Sequence, residues 1–499
     1  MISGKNQIGK LLVNAGKDTF KTYNPKSGEE NEWVFFEASP NEVDQACELA
    51  NSAFVEFRNI SDKNRAQFLR EIANQIEDLG DELIQTYCLE SGLEASRALI
   101  ERSRTCYQIT SLADTLDAGT WKETTFHKGT NDLRKTYIPL GPVVVFGSSN
   151  FPLAYSTAGG DTASALAVGC PVIVKSHPMH AGTGDLVSSA IIRAAEKTGM
   201  PNGVFSNLNA QSYKVGKALV EDGRVKAVGF TGSIAGGRAI MDLAAARHEP
   251  IPVFAEMGSI NPVVITTLAL QRNAEKWAEL YASSITQGTG QFCTNPGLIL
   301  GIESPELDQF ANLLSKKITE IKPTVMLGSS IKSAYTNLKE GILMQEGVKQ
   351  ISAKIEVDSN IADQTIVMVS GQEFLKNSRL HQEVFGPFSM IVRCTSEEER
   401  YQIINGLEGQ LTGTIISEKE ELEKTKKIVE RLSYRVGRII FNGVPTGVEV
   451  CPAMQHGGPY PASSDSRFTA VGLHGIRRWI RPISFQNFPN TLLPDELKQ

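Results

Sequence analysis

The sequence of 499 residues lacks most of the features that would place it quickly. Its seven cysteines and seven histidines show no metal-ligand spacing, with no CxxC pair and no HExxH, so no metal is expected at its site. An odd, scattered cysteine set also excludes a disulfide framework and points to a reducing, cytoplasmic setting. No apolar run is long enough for a membrane span, and the opening MISGKNQIGK has no apolar export core. Nor is there an excess of positive charge. Fifty Lys plus Arg against 56 Asp plus Glu leave a net charge of −6, which argues against nucleic acid or an anionic membrane as partner.

What remains is an ordinary globular composition, 41% hydrophobic and 21% charged, on a chain long enough for about three domains. The first hundred residues read as helices. Val43, Ala46, Cys47, Ala50, Ala53, Phe54 and Phe57 recur at helical spacing, as do Ala66, Leu69, Ile72, Ala73 and Ile76, with Ser61 as N-cap and Gly80 as the stop. The stretch FHKGTNDLRKTYIPL breaks this pattern and is expected to cross to another domain or subunit.

From Gly141, strands and helices alternate. PVVVF, PVIVK, RVKAVGF and IPVFAEMG read as strands, with AGGDTASALAVG, TGDLVSSAIIRAAEKTG and GSIAGGRAIMDLAAAR as the helices between them. Strict alternation implies a parallel sheet covered on both faces, with ligands at the carboxyl ends of its strands. A second alternating block runs through NPVVIT, GLILGI, QTIVMVS, FSMIVRC, LTGTIIS and RIIFNG, with the boundary near Met257. The last segment, IRRWIRPISFQNF, alternates like an edge strand suited to pairing with a partner subunit.

The candidate chemistry sits at the strand ends, and each residue there also has a plain structural reading. Asn150 would cap a helix, Lys175 would be a solvated strand end, Thr231–Gly237 an ordinary turn, and Glu256 a paired carboxylate. Cys293, in GQFCTNPG, is either a buried inert thiol or a nucleophile, and six other cysteines compete with it. GTGQFC begins like a dinucleotide fingerprint, but it ends in cysteine and follows a helix, so it is not one.

Taken in order and at compatible spacing, SSNFP, VIVKSHP, GFTGSIAGG, EMGSINP, GQFC and EVFGP resemble the signatures of the aldehyde dehydrogenase superfamily from end to end. The resemblance implies an α/β fold of three parts. A parallel-sheet cofactor domain would span 1–122 and 140–257, an α/β catalytic domain 258–474, and a small oligomerisation strand element 123–139 and 475–499. It implies Cys293 as nucleophile, Asn150 and the Cys293 N–H as oxyanion donors, and Glu256 as the base that activates water. On the cofactor side it implies Gly232 and Ser233 at the pyrophosphate, and Gly237 as the close approach of helix to sheet. Lys175 would meet the adenosine ribose, and Glu383 with Phe385 the nicotinamide side. NAD-preferring members carry a glutamate three residues beyond the lysine. Here Pro178 stands there, beside Lys175 and His177, so NADP is expected and NAD is possible.

FGSSNFPLAYSTAGGDTASALAVGCPVIVK, GQFCTNPG and PTGVEVCPAMQHGGPYPASSDSRFTAVG most resemble the NADP-linked α-ketoglutaric semialdehyde (2,5-dioxopentanoate) dehydrogenases of sugar-acid catabolism. Fatty aldehyde dehydrogenases are the alternative. The helix in STAGGDTASALAVG looks longer than is usual in the superfamily. Arg467 is the residue chosen to anchor a substrate carboxylate, against a plain reading as a surface arginine paired with Asp465. Phe151, Tyr155 and Phe292 are expected to line the substrate tunnel. A thiol hydrolase would pair its cysteine with a histidine, and none is expected in the constellation. A CoA-acylating enzyme would lack Glu256, and a non-catalytic relative would have lost Cys293 or Asn150. The expected partners are a small-molecule aldehyde and further copies of the chain, as homodimer or homotetramer.

Overall fold

The computed structural model describes residues 2–358 and 360–498. The amino-terminal region is not all helical. Asn6–Ile8 and Leu11–Val13 form a hairpin, and Thr19–Phe20 pairs with Phe35–Phe36. Strands of two or three residues are too short for a period of two to register. Helix Pro40–Phe57 follows, held at its start by a reciprocal capping box between Ser39 and Glu42. Ser61 caps helix Asp62–Glu77 by accepting from the Asn64 N–H. Gly80, expected as a stop, instead opens the next helix, Gly80–Ser91, with a left-handed φ of +54°.

The first large sheet has the order Val253–Glu256, Ala227–Thr231, Val143–Phe146, Val172–Lys175, Phe205–Leu208, Asn6–Ile8, Leu11–Val13. The first five strands are parallel and the amino-terminal hairpin closes the edge antiparallel. Chain order reverses beside Val143–Phe146, since later strands are added first on one side and then on the other. That is the kind of switch point at which open α/β sheets bind ligands. Phe205–Leu208 is not legible as a strand, because FSNL, buried on both faces, carries the polar Ser206 and Asn207 and so is neither an apolar run nor an alternation.

The six apolar runs of the second block all lie in one sheet. Its order is Lys349–Gln350, Thr365–Ser370, Phe388–Cys394, Leu298–Ile302, Pro262–Ile265, Gln410–Ile416, Val436–Phe441, parallel except for the two-residue edge strand. At the carboxyl end of the first sheet, the Met257 N–H donates to the Ala462 carbonyl (2.8 Å) and Glu256 forms a bridge with Ser463, tying the sheet to the segment around 462. A third, antiparallel sheet joins Ile480–Gln486 to Asp132–Pro139 over seven residue pairs, and the latter to Thr125–Lys128.

Just before that last strand, Arg478 pairs with Asp161 (2.6 Å) and the Trp479 indole N–H donates to Ser164 Oγ (2.7 Å). Both partners lie on helix Gly160–Ala167, which is eight residues long and not the extended helix its sequence suggests. Among the described residues no helix is long and apolar enough to cross a membrane.

Candidate active site

Cys293 sits in an irregular loop whose approach is left-handed at three successive residues, Gly288 (φ +55°), Thr289 (+59°) and Gly290 (+65°). Thr289 carries the strain of a side chain in that region, of about 1–3 kcal/mol. Its hydroxyl offsets part of this by donating to the Val325 carbonyl (2.9 Å). Gly290 has no alternative, since a Cβ there would lie 2.3 Å from the Gly386 carbonyl, so the loop is pressed against the EVFGP segment. From the other side, Asn261 donates its amide to the carbonyls of Cys293 (2.8 Å) and Asn295 (2.9 Å). Thr412 donates in turn to Asn261 Oδ1 (2.9 Å). Asn261 thus ties the nucleophile loop to the loop that follows Glu256. Sequence reasoning passed it over, although it stands in the EMGSINP motif.

Glu256 ends the outer strand of the first sheet, is 3% exposed, and has no hydrogen-bond donor aligned on either oxygen. His456 Nε2 lies 3.0 Å from its Oε1 and 3.6 Å from Cys293 Sγ. The expectation that no histidine enters the constellation is therefore wrong. His456 is 1% exposed and lies in coil, its N–H donating to Thr469 Oγ1 (2.9 Å). Coil has no periodicity to announce it. The available signal was its presence in the CPAMQHGG stretch.

Burial pushes the Cys293 thiol well above the usual thiol range, and the neighbouring Glu256 charge adds to the shift. A thiol so placed would need a base before it could act as a nucleophile. Ligand-type atoms of Glu256, Cys293 and His456 all lie within 4.8 Å of one another. They are the one cluster of this kind among the described residues close enough to share a metal ion, and the roles proposed below need none. Asn150 does not cap a helix. Its Nδ2 donates to the Gln291 carbonyl (3.0 Å), two residues from Cys293.

The residues expected at the cofactor run along the carboxyl edge of the first sheet. Ser233 caps helix Ile234–Ala245 by accepting from the Gly236 N–H (3.1 Å). A Cβ on Gly237 would lie 2.5 Å from Met257 Sδ, and one on Gly232 would lie 2.7 Å from the Phe230 ring. A helix start with its side chains cleared away and its positive dipole end exposed suits a pyrophosphate, although the Gly232 N–H itself donates to the Glu256 carbonyl (3.0 Å). Beyond it, a Cβ on Gly258 would meet Glu383 Oε2 at 2.5 Å and Ile234 Cδ1 at 3.3 Å, so Glu383 overhangs the same helix start. Burial pushes the Glu383 carboxyl up to about 8, opposed by the Ser259 N–H. Glu383 and Phe385 share a cleft with Phe292, next to the nucleophile loop.

At the other end, burial pulls Lys175 down to about 8, opposed by the nearby carboxylate of Glu37. His177 accepts from the Met179 N–H (3.3 Å) and stacks on His180, with ring centroids 5.1 Å apart. Burial holds it well below its ordinary pKa, with the neighbouring His180 and Lys175 charges adding to the shift. Pro178 begins a short 3₁₀ turn beside them. This cradle fits a nicotinamide dinucleotide.

Phe151, Tyr155 and Phe292 pack together, with Phe151 at 5.1 Å from Tyr155 and 5.3 Å from Phe292 between ring centroids. Tyr155 lies 6.1 Å from the His456 ring. Arg467 is not among them. Its side chain is 79% exposed and forks onto Asp465 at 2.5 and 2.9 Å, so the plain reading holds and the anchor role does not. The arginines at the aromatic cluster are Arg97, over Phe151 (4.5 Å) and Phe292 (4.7 Å), and Arg104, over Tyr155 (5.3 Å). Both lie on helix Ala95–Asp117, far from any motif.

A cysteine beside a histidine that in turn meets a buried carboxylate, at the carboxyl edge of a parallel α/β sheet, is a constellation suited to thiol chemistry. The chain belongs to the aldehyde dehydrogenase family, whose pattern matches residues 12–464, and it oxidises an aldehyde to a carboxylic acid with a nicotinamide dinucleotide. It is 43% identical to alpha-ketoglutaric semialdehyde dehydrogenase 2 of Azospirillum brasilense, across 100% of this chain and 97% of that protein. It is 41% identical to the alpha-ketoglutaric semialdehyde dehydrogenase of Acinetobacter baylyi, across 99% and 96%. Among solved structures, betaine aldehyde dehydrogenase of Staphylococcus aureus in complex with NAD+ superposes with a TM-score of 0.86 at 20% identity, covering 98% of this chain and 95% of that one. Family membership, and no longer the absence of a histidine, is what separates this enzyme from a thiol hydrolase.

Proposed function

We propose that the enzyme oxidises 2,5-dioxopentanoate to 2-oxoglutarate and prefers NADP. The observation that carries the chemistry is the placement of Cys293 Sγ 3.6 Å from His456 Nε2, with Glu256 3.0 Å beyond, beside a cluster of aromatic rings. Two relatives above 40% identity named for that semialdehyde favour it over a fatty aldehyde.

In this reading His456 takes the thiol proton, and Cys293 adds to the aldehyde carbon to give a thiohemiacetal. Asn150 Nδ2 and the Cys293 N–H hold the oxyanion, each such donor contributing ~10²–10³ in rate. The residues from Lys175 to Glu383 would hold a nicotinamide dinucleotide, which would supply the hydride acceptor for this oxidation. Glu256 then removes a proton from the water that opens the Cys293 thioester.

NADP is favoured by Pro178, which places no carboxylate where a 2′-phosphate would be repelled. Glu37 competes little for a ribose hydroxyl, since the N–H groups of Gln211 and Ser212 and the Ser212 hydroxyl already occupy its oxygens. The three sheets support the division into 1–122 with 140–257, 258–474, and 123–139 with 475–499. The exposed strand Ile480–Gln486, paired on one side only, supports association through its free edge into a dimer or tetramer.

A panel of aldehydes with and without a distal carboxylate, assayed with both cofactors, tests this reading. The expected result is highest kcat/KM for 2,5-dioxopentanoate with NADP. Faster turnover of long-chain aldehydes would replace it with the fatty aldehyde alternative.

A further inference from the structure

We propose that Arg104 and Arg438 form a carboxylate-binding subsite beside Tyr155, which selects aldehydes whose far end is anionic. The proposal rests on the reading of Cys293 as an aldehyde-oxidising nucleophile, and it assigns to two residues the anchoring that the sequence had placed on Arg467.

The two arginines come from distant elements and converge on one loop. Arg104, on helix Ala95–Asp117, reaches the Val448 carbonyl through Nε and Nη2, both at 3.4 Å, and Nη2 lies 3.4 Å from the Tyr155 hydroxyl. Arg438, on strand Val436–Phe441, donates to the carbonyls of Gly447 (3.1 Å) and Pro445 (2.8 Å). Residues 445–448 thus separate two guanidinium groups that they also hold in place.

Neither arginine forms an ion pair with a carboxylate among the described residues. Each keeps a buried N–H group with no hydrogen-bond partner, Nη1 of Arg104 and Nε of Arg438. A guanidinium cannot shed its charge at any ordinary pH, so burial without a counter-ion leaves a standing electrostatic deficit. A carboxylate arriving from solvent fills it with charge-assisted hydrogen bonds. Arg97 also keeps a buried Nη2 without a hydrogen-bond partner, but it differs in having a counter-ion, Glu101 at 3.5 Å.

The location matches the chemistry. Tyr155 touches Arg104 on one side and the His456 ring on the other, so one aromatic ring separates the subsite from the nucleophile. Arg438 lies close enough to Cys293 and Tyr155 to feel both electrostatically, and burial lowers its own pKa. A short chain with an aldehyde at one end and a carboxylate at the other spans that arrangement. A long alkyl chain would bring apolar surface against two unpaired cations.

The test uses full-length enzyme and two substrates, 2,5-dioxopentanoate and pentanal, with glutarate as a non-reacting probe. For Arg104→Gln and for Arg438→Gln, the ratio of kcat/KM for the semialdehyde to that for pentanal should fall about ten- to a hundredfold, through KM. Arg467→Gln should leave the ratio where it was. In the unaltered enzyme, glutarate should inhibit pentanal oxidation competitively while 1-pentanol at equal concentration inhibits far less. That arm needs no variant and stands if either substitution prevents folding.

An unchanged ratio in both arginine variants, or equal inhibition by glutarate and 1-pentanol, overturns the subsite. Failure of the enzyme to oxidise any aldehyde would instead overturn the reading of Cys293 on which the subsite rests.

Discussion

The two halves of the active site are built in different ways. Of the residues proposed for the site, those carried by the first sheet lie within a few positions of a strand end: Lys175 closes one strand, Gly232 and Ser233 follow another, and Glu256 ends a third. On the substrate side the contributors are scattered. Tyr155 precedes a short helix, Arg104 lies on the fourth long helix, and Arg438 on the last strand of the second sheet. His456 comes from coil, 163 positions beyond Cys293. A parallel sheet dictates the first arrangement, because strand ends are adjacent by construction. Nothing local dictates the second, which exists only after the domains pack.

The largest effect that tests this contrast is at the point where the halves meet. Cys293→Ser should lower steady-state turnover by more than about 10⁴-fold while titration still shows cofactor binding, since the cradle is assembled without the thiol. Normal turnover in that variant would remove Cys293 from the mechanism. His456→Gln should cost about 10²–10⁴-fold at neutral pH. The deficit should shrink as pH rises, because the thiol, held above its usual range by burial, then loses its proton to solvent unaided. A deficit that is flat with pH would leave His456 a packing role only.

Glu256→Gln should preserve a single-turnover burst of reduced cofactor and slow the steady state. Loss of burst and steady state together would make Glu256 the thiol base in place of His456. Pro178→Glu should move the NADP to NAD ratio of kcat/KM toward NAD by about tenfold without changing aldehyde preference. A change in aldehyde preference would mean the two halves are coupled. Arg467→Gln should change neither rate by more than about twofold, as its fork onto Asp465 is exposed to solvent.

The same contrast explains what the sequence revealed. Runs such as VIVK and TIVMVS were legible as short unbroken apolar stretches, and helix Asp62–Glu77 because burial repeats along it. The strands at 6–8 and 11–13 are too short to repeat anything, and Phe205–Leu208, buried on both faces, carries the polar Ser206 and Asn207. In the site, Cys293, Glu256 and Asn150 were singled out by motifs, and the fold brings them together. His456, Asn261 and Arg104 were invisible for a physical reason. A single polar residue in coil or on a long helix carries no pattern until tertiary structure gives it a partner. Arg467 misled because SSDSRFT contains a charge that Asp465, two residues away, already neutralises.

The join between the carboxyl-terminal strap and helix Gly160–Ala167 has a consequence for how the protein is made. Asp161 and Ser164 lie against the first sheet, and their partners Arg478 and Trp479 stand more than 300 positions later. The Trp479 side chain is fully buried in the core that Val143, Val172 and Phe205 begin. During synthesis that core must wait, open on one side, until nearly the whole chain has left the ribosome. The earliest part of the enzyme to be translated is thus among the last to be sealed, and it carries an unclosed apolar face through most of its own translation.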